Sequence, residues 1–126
     1  MGIFNNRNSR RLSKVGYGEL QSLSEQQLVD CSGSYGNQGC NGGLIDNSLK
    51  YVRDRGILLG DEYPYMAVRQ GCKQNSGPFK VSGYNVITNC DDLANALQKM
   101  PISVAVDATN WSRYKGGIFS NCDKKA

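Results

Sequence analysis

The stretch Leu23-Ser24-Glu25-Gln26-Gln27-Leu28-Val29-Asp30-Cys31, followed by Gly39-Cys40-Asn41-Gly42-Gly43, decides the reading of this chain. Ser24 is a good helix N-cap, because its hydroxyl accepts a backbone N–H of the first turn. Gln27 stands where a capping box places the reciprocal partner. Leu28 and Val29 supply the apolar face of a short helix ending near Cys31. Ser32 to Gly39 is a loop of Ser, Gly, Tyr and Asn. Cys40-Asn41-Gly42-Gly43 then opens a second helix, in which Leu44, Ile45, Ser48, Leu49 and Val52 recur at helical spacing. Lys50, Arg53 and Arg55 fall in its last turns, where cations suit the helix dipole, and Gly56 closes it.

Downstream the pattern changes. Asp61 to Pro78 reads as an extended loop, and Tyr63-Pro64-Tyr65 within it is non-helical, since a residue before proline is pushed out of the helical region. Phe79 and Val81, then Tyr84 and Val86, predict a strand whose phase shifts at Gly83. Asp91 or Asp92 caps a helix carrying Leu93, Ala96, Leu97 and Met100 on one face, and Pro101 ends it. Ile102-Ser103-Val104-Ala105-Val106 predicts a buried strand, and Ile118-Phe119 the start of another. Helices first, then strands with one helix between, argue for an α+β arrangement in two lobes.

Composition sets the outer bounds. A chain of 126 residues is one ordinary domain or a piece of a larger one. Apolar residues at 39% and charged residues at 21% fit a globular chain and not a disordered tail. No apolar run approaches the ~18 residues that span a bilayer, so no membrane partner is expected. The charge of +4 is mild. Residues 1–16 are polar and basic, but the basic stretch 7–14 lacks interleaved aromatics, which weighs against a nucleic-acid partner and for a solvated terminus. Histidine is absent, so these residues supply no imidazole base, metal ligand or neutral-pH switch. The five cysteines, Cys31, Cys40, Cys72, Cys90 and Cys122, form no CxxC pair, which argues against a zinc site. Their number in so short a chain points to an oxidising compartment. No apolar signal region follows Met1. Disulfide-type cysteine usage beside that start predicts an incomplete chain. Asn110-Trp111-Ser112 is an N-glycosylation sequon.

Taken in order, the motifs above resemble the papain family of cysteine endopeptidases, in its cathepsin L-like branch. The carriers are the two quoted stretches, Tyr63-Pro64-Tyr65 with Cys72, Pro101-Ile102-Ser103-Val104-Ala105-Val106-Asp107, and Tyr114-Lys115-Gly116-Gly117-Ile118-Phe119. The resemblance implies a partial papain-like fold: the end of the helical lobe plus the first part of the β-barrel lobe. Residues 1–16 would be a divergent segment, 17–78 the partial helical lobe and 79–126 the partial barrel lobe, together one incomplete peptidase domain. It implies hydrolysis of peptide or protein substrates through a thiolate acyl-enzyme, without metal or cofactor. Gly42 and Gly43 match the backbone rim of the substrate groove. Leu44, Ile45 and Ala105 match the pocket for the second residue before the scissile bond. Read alone, Leu44 and Ile45 are also plain helix core, and Gly42-Gly43 a helix-entry turn.

The resemblance also pairs Cys31 with Cys72, and Cys40 and Cys122 with cysteines outside this sequence; Cys90, placed on a loop, has no match. By spacing, the family's nucleophile falls just before Met1 and its histidine beyond Ala126. No catalytic residue is therefore assigned, and the chain by itself is expected to be inactive and prone to aggregation. A non-catalytic peptide- or protease-binding role is the alternative. The family implies a lysosomal or secreted setting, and leaves the oligomeric state open.

Overall fold

The computed structural model describes residues 21–119. Expectations for residues 1–16 and for Cys122 lie outside them. Among the described residues there are three α-helices: α1 Glu25–Cys31, α2 Ile45–Arg55 and α3 Cys90–Leu97. Three short 3₁₀ turns punctuate them: Ser32–Tyr35, Gly39–Asn41 and Trp111–Arg113.

Helix α1 begins where its cap predicts. Ser24 Oγ accepts the Gln27 N–H at 3.0 Å. The other half of the expected capping box is not made. The Ser24 N–H instead donates to the Leu58 carbonyl at 2.9 Å. The Gln27 side chain is buried and turned away: its Oε1 accepts the Leu58 N–H at 2.8 Å, and its Nε2 donates to Tyr51 Oη and to the Ser76 carbonyl. A buried amide has more to gain from three tertiary partners than from one local N–H that already has an acceptor.

The same face of α1 carries two more buried polar side chains. Gln26 accepts the Met66 N–H at 2.9 Å and donates to the Val68 carbonyl at 2.8 Å and to Asp30 Oδ1. Asp30 accepts the Gln70 N–H at 2.7 Å and the Tyr63 hydroxyl at 2.8 Å. Tyr63 Oη in turn accepts the Lys73 N–H. Burial pushes the Tyr63 phenol above its ordinary range, so it stays a donor to Asp30. Three side chains of one helix thereby satisfy the backbone of a loop running from Leu58 to Ser76 that has no helix or ladder of its own. The loop is non-helical at Tyr63-Pro64-Tyr65, as the proline requires. The disulfide between Cys31 and Cys72, with Cα atoms 4.9 Å apart, pins it to the end of α1. Cys40 and Cys90 are exposed thiols.

The apolar core is small and lies between α1, α2 and the Ile57 segment. Leu28, Cys31, Tyr51, Val52 and Ile57 form it, with Leu23, Tyr35, Phe79 and Val81 packed at its margin. Tyr35 meets Tyr51 edge-on at 5.5 Å. Helix α2 starts later than its sequence predicts: the Gly39–Asn41 turn and an extended Gly42 precede it, and Leu44 is the N-cap. Its C-terminus meets expectation, with the Gly56 N–H on the Val52 carbonyl and Arg53 and Arg55 in the last turn.

The second half departs further. Helix α3 is capped by Asn89, not by Asp91 or Asp92: Asn89 Oδ1 accepts the Asp92 N–H at 2.8 Å. The helix therefore begins at Cys90, which the sequence reading places on a loop. The strands expected near 79–86 and at 102–106 are not formed. Two isolated antiparallel bridges, Leu23 with Leu59 and Ile57 with Phe79, are the β-pairings of the described residues. A strand exists only through ladder bonds to a neighbour, and residues 102–106 have none among the described residues. Beyond Tyr63 no described residue is buried, and Val104 is 54% exposed.

Two outcomes follow for stability. Gln27→Ala strands the Leu58 N–H and loosens Tyr51 and Ser76, and is expected to lower unfolding stability by about 3 kcal/mol in urea titration. Lys50→Ala, on the exposed face of α2, should stay within about 0.5 kcal/mol. Equal effects of the two would refute the clamp. Replacing both Cys31 and Cys72 by Ala opens a link with a sequence separation of 41. The chain-entropy model puts the loss at roughly 4 kcal/mol. An unmoved unfolding midpoint would contradict it.

Candidate functional site

Gly42, Gly43, Leu44 and Ile45 are brought together where the chain enters α2. Their positions follow from one side chain. Asn37, in the loop after α1, donates from Nδ2 to Ser32 Oγ at 2.9 Å and to Ser48 Oγ at 3.0 Å. Its Oδ1 accepts the Leu44 N–H at 3.0 Å. Leucine has no capping oxygen, and the first turn of α2 has no side-chain cap; Asn37 instead holds the N–H of the N-cap residue itself and so fixes the chain where it enters the helix. Ser48 completes the arrangement by donating back to the Leu44 carbonyl at 3.3 Å. Sequence reasoning missed Asn37. The available signal was a short polar residue among the glycines of the 33–39 loop.

The two glycines answer different needs. Gly42 has φ +123° and ψ −176°, a conformation L side chains rarely adopt, yet a Cβ there would meet open space. Gly43 is a matter of room: a Cβ would lie 2.5 Å from Asn37 Oδ1 and 2.8 Å from its Cγ. Gly43 is exposed, and no hydrogen bond of the described residues uses its N–H or its C=O. Both groups are thus without a partner among the described residues, and an unpaired backbone of this kind is what an extended chain can pair with.

Leu44 is 66% exposed, which removes the reading of this residue as helix core. Ile45 is half-buried. Ala105 lies on the separate segment that follows α3, is exposed, and no hydrogen bond joins residues 102–106 to the glycine rim. A cavity of about 190 Å³ lies elsewhere, under the clamped loop, with Leu58, Tyr63, Pro64 and Met66 in its wall and no residue of the rim.

A family model described as papain family cysteine protease matches residues 4–126 of this chain. Cathepsin L 2 of Paramecium tetraurelia is 48% identical over 104 residues, covering 81% of this chain and 33% of that protein. Cathepsin L1 of Drosophila melanogaster is 43% identical over 116 residues, covering 84% and 31%. The chain therefore spans about a third of the length of the curated relatives it matches. Among solved structures, the Carica candamarcensis cysteine protease CMS1MS2 in complex with E-64 superposes with a TM-score of 0.81 at 34% identity, over 95% of this chain and 59% of that one. The digestive procathepsin L 3 of Tenebrio molitor larval midgut gives 0.75 at 36%, over 90% and 40%.

The rim geometry sets a graded outcome. Gly43→Ala should displace Asn37, free the Leu44 N–H and speed its hydrogen exchange at least tenfold, with a stability loss of about 1–3 kcal/mol. Asn37→Ala should speed the same amide without the steric clash. Native-state exchange that leaves Leu44 as protected in both variants as in the wild type would show that Asn37 does not hold the rim.

Proposed function

The chain belongs to the papain family of cysteine proteases and carries part of its fold, and on that premise we propose that these residues form one wall of the peptide cleft of a cathepsin L-like endopeptidase. Gly42 and Gly43 offer backbone groups to an extended substrate. Leu44, Ile45 and Ala105 receive an apolar side chain of that substrate. The observation that carries this reading is the unpaired Gly43 backbone, held out by Asn37 beside the exposed Leu44.

The chemistry of the family reading needs groups beyond these residues. A thiolate attacks the scissile carbonyl carbon, the C–N bond breaks, and an imidazolium protonates the leaving amine; water then releases the acyl group. The chain has no histidine. Cys31 and Cys72 are joined, and Cys40 and Cys90 are exposed with no imidazole in the sequence to activate them. Nucleophile and base are accordingly assigned outside these 126 residues. The disulfide and the cathepsin L relatives support a lysosomal or secreted setting. A non-catalytic peptide-binding role shares the same rim, and is favoured to the extent that Asn37 holds it with no help from elsewhere.

The purified 126-residue chain is expected to hydrolyse no Phe-Arg fluorogenic peptide above background. A blocked peptide with Phe next to its terminal residue should shift the amide signals of Gly43 and Leu44 in NMR titration. Turnover that persists through removal of contaminating proteases would sink the assignment of the dyad. Saturating peptide with no shift at 42–45 would sink the assignment of the rim.

A further inference from the structure

We propose that Asn110 is a site of N-linked glycosylation. Asn110-Trp111-Ser112 has the Asn-x-Ser form, with a residue other than proline between, that the oligosaccharide-transfer machinery reads. No other Asn in the sequence has Ser or Thr two residues on.

The structure adds what the motif alone lacks. Asn110 caps the one-turn 3₁₀ helix Trp111–Arg113, and its carbonyl accepts the Arg113 N–H at 3.3 Å. No hydrogen bond of the described residues engages its side-chain amide. Asn110 itself is half-buried, while Trp111 and Ser112 are exposed, as is every residue from Ser103 to Thr109 on one side and from Arg113 to Ile118 on the other. The segment just before the sequon is shaped by a local turn, in which Asp107 Oδ1 accepts the Thr109 N–H at 2.9 Å. A segment with no ladder and no buried side chain opens at little cost in free energy, so it can fit a modifying enzyme even after folding.

A second, independent observation places the chain in the right compartment. The Cys31–Cys72 link joins a buried cysteine of α1 to an exposed one of the clamped loop, and such structural disulfides persist in the oxidising compartments through which glycoproteins pass. The transfer is balanced as follows. Asn110 Nδ2 forms a bond to the anomeric carbon of a lipid-linked oligosaccharide pyrophosphate. The bond from that carbon to the phosphate oxygen breaks, the lipid pyrophosphate leaves with the electron pair, and the amide loses one proton to a base. The glycan would stand beside Trp111, near in sequence to Val104 and Val106, where a bulky hydrophilic group keeps an exposed apolar run in solution.

The test is expression of the full 126-residue chain behind a secretion leader in a glycosylating eukaryotic host. The expected result is one glycan: a single mobility step removed by a peptide N-glycan amidase, which hydrolyses the Asn110 side-chain amide and leaves aspartate at position 110 carrying heavy oxygen when release is run in heavy-oxygen water. Asn110→Gln and Ser112→Ala should each abolish the step, the second while leaving the amide in place. The segment is open to transfer before folding as well as after it, so a variant that folds poorly still reports. Ile87→Thr creates an acceptor at the exposed Asn85 and serves as the control for entry into the pathway. A wild-type chain without the step, in a host that modifies the control at Asn85, overturns the proposal.

Discussion

The loop from Leu58 to Ser76 is ordered by hydrogen bonds from one seven-residue helix, and most of the described structure depends on that fact. Gln26, Gln27 and Asp30 sit on the buried face of α1, where apolar residues would be the usual choice. They point instead at backbone groups of a segment that forms no helix and no ladder. Each buried amide or carboxylate finds its partners, and no buried side-chain polar atom of the described residues is left without one. A polar cluster so fully satisfied fixes a single loop path, because any slip would leave several buried groups unpaired at once. The disulfide at the end of the same helix removes the remaining freedom.

The same helix explains why the buried residues lie in the first half. The 3₁₀ turn that continues α1, through Ser32, leads to Asn37, and Asn37 holds the Leu44 N–H at the entry to α2. Tyr51 of α2 returns to α1 through Gln27. Leu44, next to the glycine rim, is thus tied through Asn37 to Ser32 at the end of α1 and to Ser48 of α2. The apolar core beneath it is only a handful of side chains, so polar contacts carry an unusual share of the specificity.

The second half shows what happens without such partners. Val104, Val106 and Ile118 have the apolarity of buried strand residues, yet Ile118 is 96% exposed. Membership in the papain family accounts for the mismatch. The superposition on the Carica candamarcensis protease covers 59% of that chain, so much of the fold that would flank these residues has no counterpart here. Leu44 and Ala105, which the family reading assigns to one pocket, stand on segments that no hydrogen bond joins.

Local chemistry determined much of this protein from its sequence. Ser24 as a cap, the breaks at Gly56 and Pro64, the order of the helices and the lack of a histidine all follow from residues and their near neighbours. The five motifs in family order, from Leu23 to Phe119, indicated the family. What the tertiary structure decided is which partner each versatile group takes. Gln27 has a local acceptor role open to it and takes remote ones instead. Asn89 outcompetes two aspartates as a cap because its amide both accepts the Asp92 N–H and donates to the Asp92 carboxylate. Leu44 has a helical period and yet lies outside the core. Residues 102–106 have strand composition without a strand. The physical reason is common to all four: helix capping and turn preferences are set within a few residues, whereas a buried amide, a core position or a β-ladder is completed by groups distant in the sequence, whose arrival the local pattern does not encode.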